Sequence, residues 1–283
     1  MRTKKAKKII GKIIFFLVLG FFLFVTLLPL LWVLMSSLRS DEEIFRYAMP
    51  FSIHTFIPDK FTFQSYINIF KLRGFGQALF NTVIVGVASI VLGMFINAVA
   101  GYIFAKYEFK FKKQLFFLVM ISFMVPFEAV AIPLYQMVNQ MGLVDTYWVL
   151  IIPTISNGLI IFLFKQFFEE IPDSLIESAR LEGANLFVIF TRIIIPLSGP
   201  VMVSAGLMIF VWQWESFLWP LISARSENLR MVQVALTDFK MQYQTLWSEM
   251  LAACMVSTIL PVAFLIPLQK YYVQGIAGTG VKE

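Results

Sequence analysis

A short run near the middle of the chain concentrates charge. Residues 169–182 read EEIPDSLIESARLE and contain five acidic side chains and one arginine. Pro172 followed by Asp173 and Ser174 is typical of a helix start, with Asp or Ser as the N-cap, and Gly183 breaks the pattern. The run therefore predicts either a helix whose acidic residues meet a basic partner or an ordinary solvated loop with a glycine C-cap.

Apolar residues of helical period follow the glycine. They stand at i, i+1, i+4, i+7 and i+8, namely at Leu186, Phe187, Phe190, Ile193 and Ile194. Four small residues around the break would let another surface approach the backbone closely: Ser178, Ala179, Gly183 and Ala184. The segment is expected to form a helix, a sharp turn and a second helix.

Two more carboxylates stand inside long stretches of otherwise uncharged sequence. Glu128 follows Pro126, and Glu215 is surrounded by aromatic and amide side chains, namely Trp212, Gln213, Trp214 and Trp219. An ionisable residue inside a membrane span is a functional hypothesis by default, and aromatic faces beside polar groups suit sugars. Glu128, Trp212, Gln213 and Glu215 are therefore candidates for a substrate pathway. Hydrogen bonding to neighbouring helices or freed backbone groups is the structural alternative for both carboxylates.

The elements that position these residues are predicted to be membrane helices. The chain has 283 residues, of which 59% are hydrophobic and 14% charged, whereas soluble chains carry roughly 25% charged residues. Its single cysteine, Cys254, excludes an intrachain disulfide and a multi-cysteine metal site. We expect an all-α, single membrane domain over 1–283. Gaps between charges predict six spans of about 20 residues or more, near 13–36, 79–104, 115–137, 147–167, 195–222 and 250–268.

Lysine and arginine are distributed unevenly between the two sides of these spans. With an inside N-terminus, the inner segments and Lys165 carry 15 of these residues and the outer loops carry 8. The positive-inside rule therefore predicts that both termini are cytoplasmic. The net charge of +6 follows from this topology, so a nucleic-acid partner is not expected.

The acidic segment and its continuation resemble the EAA loop of ABC importer permeases. That loop has the form E-A-A-x-x-x-G, nine intervening residues, then I-x-L-P. Here the match runs from Glu177 through Gly183 to Pro196, and Ile193 falls on the isoleucine of the pattern. Ser178 replaces the middle small residue, and isoleucine precedes Pro196 where leucine is usual. Both departures keep size or apolarity.

The resemblance extends over nearly the whole chain and is to the MalG-like permeases of carbohydrate importers. Individual matches are short, but their order and spacing are specific. They are Asn81-Thr82, Ala100-Gly101-Tyr102 with Phe104-Ala105-Lys106, Ile132-Pro133-Leu134-Tyr135 with Gly142-Leu143, Trp214 to Leu221, and the ending from Gln269 to Lys282. Glu215 stands where the family pattern has asparagine.

This resemblance implies a type I ABC importer permease fold with six transmembrane helices, in a bacterial or archaeal cytoplasmic membrane. It implies a second permease subunit, two ATPase subunits and an extracellular sugar-binding protein as partners. The chain has no G-x-x-x-x-G-K-[ST] motif, so ATP and Mg are expected on the ATPase, and the chain is expected to be no enzyme and to bind no cofactor or metal. The coupling loop would be 168–194, with 173–196 carrying the contacts. The residues implied in coupling are Glu177, Ser178, Ala179, Glu182, Gly183, Ala184 and Pro196.

Three other functions remain open at this point. An ion-coupled secondary transporter would use Glu128 and Glu215 as relay groups. A membrane-embedded enzyme would need clustered His, Asp or Cys, which the sequence does not offer near a membrane face. An ABC permease for an anion such as glycerol phosphate would be expected to line its pathway with Arg or Lys. None lies within the six predicted spans apart from Lys165 near a membrane edge.

Overall fold

The computed structural model describes residues 2–50, 52–240 and 245–278, and the fold over these ranges is all-α, as predicted. Beyond the helices, one antiparallel bridge pairs Lys240 with Thr245. The α-helices are α1 Arg2–Ser36, α2 Asp41–Arg46, α3 Ile53–Phe56, α4 Gln64–Lys71, α5 Phe75–Lys106, α6 Lys112–Met124, α7 Phe127–Gln140, α8 Tyr147–Ile151, α9 Gly158–Glu169, α10 Asp173–Leu181, α11 Leu186–Ile189, α12 Ile195–Leu197, α13 Gly199–Glu215, α14 Leu218–Ser223, α15 Val232–Ala235 and α16 Trp247–Gly278. The chain forms two compact units.

The first unit comprises residues 1–75 and 236–258. Its fully buried Arg39 donates hydrogen bonds to the backbone carbonyls of Met35, His54 and Thr55, which fixes the segment after α1. Glu249, at the start of α16, is also buried. Its carboxylate pairs with Arg73 Nε at 2.9 Å and accepts a hydrogen bond from Asn68 at 2.9 Å. The buried charges of Arg39 and Glu249 are therefore satisfied by hydrogen bonds and an ion pair, as buried charge requires.

The second unit comprises residues 76–235 and 259–283 and contains both regions that the sequence singled out. Three of its helix pairs are bent at short breaks. The angle is 101° between α6 and α7, 47° between Tyr147–Thr154 and α9, and 85° between Leu186–Leu197 and α13. Pro126 directly precedes α7, and Pro200 stands in the first turn of α13, so two of the bends coincide with prolines.

The apolar helices account for six membrane spans when each bent pair is counted as one. Ile9–Ser36, Phe75–Lys106 and Trp247–Leu268 are long and apolar enough to cross a bilayer as single helices. The three bent pairs supply the others. The predicted spans 115–137, 147–167 and 195–222 are therefore interrupted helices, and the limits of each span in a bilayer stay a prediction.

The middle of α5 packs closely against α9 and the residues that precede it. Buried Asn97 donates to the carbonyl of Ile155 at 2.8 Å and accepts from the amide of Asn157 at 2.8 Å, which holds the break before α9. One turn further along α5, a Cβ on Gly101 would stand 2.5 Å from Phe164 Cβ. The absence of a side chain at Gly101 therefore permits the close crossing of α5 and α9.

Replacing Gly101 with valine is expected to destabilise the second unit by roughly 1–3 kcal/mol, because α5 and α9 would have to separate. The measurement is the thermal unfolding midpoint of the detergent-purified protein. Gly86→Val is the matched control on the same helix, since a Cβ at Gly86 meets no atom within 4 Å. Equal midpoints for the two variants would refute the close-crossing explanation.

Candidate functional site

Helix α10 carries the acidic segment and packs on the second unit by one face. Ile176 and Ala179 are buried in a cluster with Ile171, Phe168 and Tyr102. The remaining faces carry exposed side chains, among them Glu177, Ser178 and Glu182. The buried face anchors the helix, so the exposed acidic residues are held in a fixed position.

The start of α10 is tied to the end of α5 by Lys106. Its Nζ donates to the carbonyl of Ile171 at 2.5 Å and pairs with Asp173 Oδ1 at 2.8 Å. The Lys106 side chain is 6% exposed and that of Asp173 is 74% exposed, so solvent screens the pair. The prediction that Asp173 or Ser174 caps the helix was wrong, because Pro172 occupies the N-cap and the Asp173 carboxylate turns to Lys106 instead.

The hydrogen bond from Lys106, followed by its charge, lowers the pKa of Asp173 below its ordinary value. The folded state therefore favours the ionised carboxylate. Any stability from this pair is present above the ordinary pKa of an aspartate and is lost as the pH falls through the lowered pKa.

The turn after α10 is a Schellman motif centred on Gly183. The Gly183 amide donates to the carbonyl of Arg180 at 3.0 Å, and the Ala184 amide donates to that of Ala179 at 2.9 Å. Gly183 has a φ of +84°, which confirms the positive φ that the pattern predicts for this position. A Cβ there would meet no atom within 4 Å, so a substitution would act through backbone strain alone.

The helix after the turn differs from the predicted apolar stripe. Asn185 caps α11 by accepting a hydrogen bond from the amide of Val188, and residues Phe190–Ile194 form a π-helical turn. Ile189, Phe190 and Ile194 are buried, whereas Leu186 and Phe187, at the start of α11 next to the Gly183 turn, are exposed. The prediction of one continuous stripe was wrong for Leu186 and Phe187.

Three exposed apolar side chains therefore flank Gly183. They are Leu181, Leu186 and Phe187, and we call them the turn patch; Leu181 is 90% exposed. Ala184 is half-buried, and Pro196 is exposed in α12. Sequence periodicity did not identify Leu181 as an exposed residue. The available signal was its position between two charged residues, Arg180 and Glu182.

A cavity of about 420 Å³ lies in the second unit where helices are interrupted. Its lining comes from the start of α7, from the break before α9, and from the break between α13 and α14. The lining residues are Phe127, Glu128, Pro153, Thr154, Ser156, Asn157, Ile209, Trp212, Gln213, Ser216, Phe217, Leu218 and Trp219. Irregular backbone at membrane depth is tolerated where it lines such a cavity.

Several polar groups of the lining are already committed to the fold. Buried Gln213 donates to Ser89 Oγ at 2.7 Å, and Trp219 Nε1 donates to the carbonyl of Val149 at 2.7 Å. The side-chain oxygen of Asn157 accepts from the amides at the start of α9. These residues hold the walls in place and leave aromatic faces and hydroxyl groups toward the cavity.

Three of the four predicted pathway residues line the cavity, namely Glu128, Trp212 and Gln213. Glu215 is exposed and does not line it, although it neighbours lining residues in sequence. The sequence did not identify the contributions of Ser156 and Asn157. The available signals were Pro153 and the polar run Ser156-Asn157-Gly158 between two apolar helices, which mark a break but not that its side chains line a cavity.

The matching family model and the related proteins are all described as membrane components of transport systems. The family model "Binding-protein-dependent transport system inner membrane component" matches residues 97–277. The chain is 32% identical over 265 residues to the arabinooligosaccharides transport system permease protein AraQ of Halalkalibacterium halodurans, covering 93% of this chain and 94% of that protein. It is 27% identical to the sn-glycerol-3-phosphate transport system permease protein UgpE of Rhizobium meliloti, covering 96% and 98%.

A solved structure shares the fold. It belongs to a bacterial ABC transporter involved in the import of the acidic polysaccharide alginate. The TM-score is 0.82 at 22% identity, and the match covers 93% of this chain and 96% of that one. At this identity the likeness establishes the architecture alone.

Proposed function

The chain belongs to the family of inner membrane components of binding-protein-dependent transport systems, and on that premise we propose that it is a permease subunit of an ATP-driven sugar importer. The observation that carries this proposal is the cavity at the three helix breaks. Aromatic faces with hydroxyl and amide groups suit a sugar, and the oligosaccharide relative at 32% identity supports the substrate class.

The transport cycle requires the cavity to face the two sides of the membrane in turn. Two of the bent helix pairs, α6 with α7 and Tyr147–Thr154 with α9, are interrupted at the cavity, so a change in either bend would alter access to it. Glu128, Trp212 and Gln213 stand on the proposed pathway. Glu215 would contact a sugar only where the pathway continues beyond the cavity.

The exposed part of the coupling loop is proposed to bind a separate ATPase subunit. Its rigid attachment, through Lys106 and the buried face of α10, suits the transmission of movement, because coupling requires differential binding in two states. The proposed coupling residues are Glu177, Ser178, Ala179, Glu182, Gly183, Ala184 and Pro196, of which Ala179 is buried in the cluster that anchors α10 and would act by holding that helix in place. ATP and Mg would bind to the ATPase, and this chain would carry out no covalent chemistry.

The remaining partners are proposed to be a second permease, a second ATPase copy and an extracellular binding protein. Both termini are proposed to be cytoplasmic, on the basis of the 15 to 8 distribution of Lys and Arg. A cysteine placed at either terminus, in a Cys254→Ser background, should resist an impermeant thiol reagent applied to intact cells. Labelling from outside would reverse the proposed orientation.

Uptake into proteoliposomes tests the proposed function. The complex, purified from native membranes with its partners, should accumulate a labelled arabinooligosaccharide or another neutral oligosaccharide only with internal ATP. Trp212→Ala should reduce uptake at least about fivefold, since it removes an aromatic face worth roughly 1–3 kcal/mol. Trp148→Ala is the matched control, because Trp148 is exposed and does not line the cavity. Equal losses in both variants would argue against the cavity as the pathway.

The same assay separates the alternatives. Uptake driven by a proton or sodium gradient without ATP would indicate a secondary transporter. The glycerol-phosphate relative makes an anionic substrate the second candidate. ATP-dependent uptake of glycerol phosphate in preference to neutral oligosaccharides would favour that alternative.

A further inference from the structure

The cavity contains one charged side chain. Glu128 lies in the first turn of α7 and lines the cavity, and no Lys, Arg or His is among the lining residues. Within the described ranges, Glu128 is exposed and its carboxylate has no ion pair or hydrogen bond.

The other polar groups of the lining do not offset this charge. The Gln213 amide is engaged with Ser89 and with the carbonyl of Leu150. Thr154 donates its hydroxyl hydrogen to a carbonyl of its own helix. The cavity therefore presents one acceptor-only carboxylate among aromatic faces and small hydroxyl groups.

We infer that Glu128 sets the charge selectivity of the cavity, which accepts neutral or cationic sugar units and rejects acidic ones; this inference rests on the proposed function. A carboxylate accepts charge-assisted hydrogen bonds from sugar hydroxyls and from the ammonium group of an amino sugar. It repels the carboxylate of a uronic acid or a phosphate, and like charges brought together disfavour the wrong ligand strongly.

The selectivity distinguishes this chain from proteins that share its architecture. The structural neighbour comes from a transporter that imports an acidic polysaccharide, and one relative is named for glycerol phosphate. The negative lining predicts that this chain handles neither class of anion. The same fold would then serve different substrate charges, with the charge selectivity of this chain set at the break before α7.

Charged thiol reagents measure the cavity potential without knowledge of the natural sugar. A Ser156→Cys substitution in a Cys254→Ser background places one thiol in the lining of the purified complex. Rates are measured with cationic 2-(trimethylammonium)ethyl methanethiosulfonate and anionic 2-sulfonatoethyl methanethiosulfonate. Each rate is divided by that of the same reagent with a small free thiol, which removes the intrinsic difference in reactivity.

The normalised rates should favour the cationic reagent. Glu128→Gln should reduce that preference about tenfold, as expected for removal of one charge at short range in a partly dry site. Glu128→Lys should invert it. Glu215→Gln is the matched control. It removes a carboxylate at the end of α13, and that carboxylate does not line the cavity. An unchanged ratio in Glu128→Gln would overturn the inference.

Protection by sugars completes the test. A trimer of glucosamine should slow modification of the thiol at position 156, and a trimer of mannuronate should not. In Glu128→Gln the difference between the two trimers should shrink. If the two trimers protect the thiol equally in the protein that retains Glu128, or if neither protects it, the inference is overturned. ATP-driven uptake and its loss in Trp212→Ala would still stand, so failure of the selectivity is distinguishable from failure of the transport function.

Discussion

Gly183→Val is expected to abolish sugar uptake while the permease still inserts in the membrane. The φ of +84° at Gly183 is readily adopted by glycine, and a β-branched residue there is strained by about 1–3 kcal/mol. Relief of that strain would unwind the Schellman turn and move α10 relative to α11. The proposed contact with the ATPase depends on that alignment, so uptake should fall at least about tenfold, through weakened attachment or uncoupled hydrolysis.

Two further variants separate coupling from general damage. Gly142→Val imposes similar strain at a φ of +68°, also with no atom within 4 Å of the added Cβ, but far in sequence from the coupling loop. It should leave co-purification of the ATPase unchanged. Gly183→Asn should recover much of the uptake, since asparagine tolerates the left-handed region. The prediction fails if Gly183→Val retains normal ATPase co-purification and normal uptake.

The turn at Gly183 was predictable because its cause is local. A glycine between two helical patterns needs no tertiary information, and the charged residues before it mark α10 as partly exposed. The helix after it was predicted incorrectly, since a π-helical turn at Phe190–Ile194 depends on packing. Leu186 and Phe187 precede that turn and are exposed, whereas Ile189 is buried in the cluster beneath α10, so burial along α11 is also set by tertiary contacts.

The membrane helices were predictable from apolar length, and prolines marked some of their bends, but which prolines would bend a helix was not predictable. A run of uncharged residues satisfies the length of a span whether or not its helix is continuous. Pro126 gave a signal for the break before α7, yet Pro261 lies inside the continuous helix α16. Proline marks possible breaks, and neighbouring helices decide which of them occur.

The two carboxylates inside the apolar stretches show that sequence also does not specify which single side chains reach the cavity. Glu128 and Glu215 both interrupt apolar sequence, and both flank aromatic residues. Only Glu128 lines the cavity, because the end of α13 directs Gln213 and Trp212 toward it and places Glu215 outside. Which face a side chain occupies near a helix end depends on the break itself, and sequence does not specify that geometry.

Leu181→Asp is expected to prevent co-purification of the ATPase with the permease. Leu181 is 90% exposed at the end of α10 and, with the rest of the turn patch, presents apolar surface beside Glu177 and Glu182. Apolar anchors at the centre of an interface often dominate its energy, and burying an unpaired carboxylate in their place is costly. The loss should exceed roughly 2 kcal/mol of binding free energy, or about thirtyfold in affinity.

Co-purification and ATP-dependent uptake are measured together, with Leu181→Met as the volume-conserving control and Leu72→Asp as the control for an exposed leucine outside the loop. Normal attachment and uptake in Leu181→Asp would show that the turn patch lies outside the proposed ATPase interface.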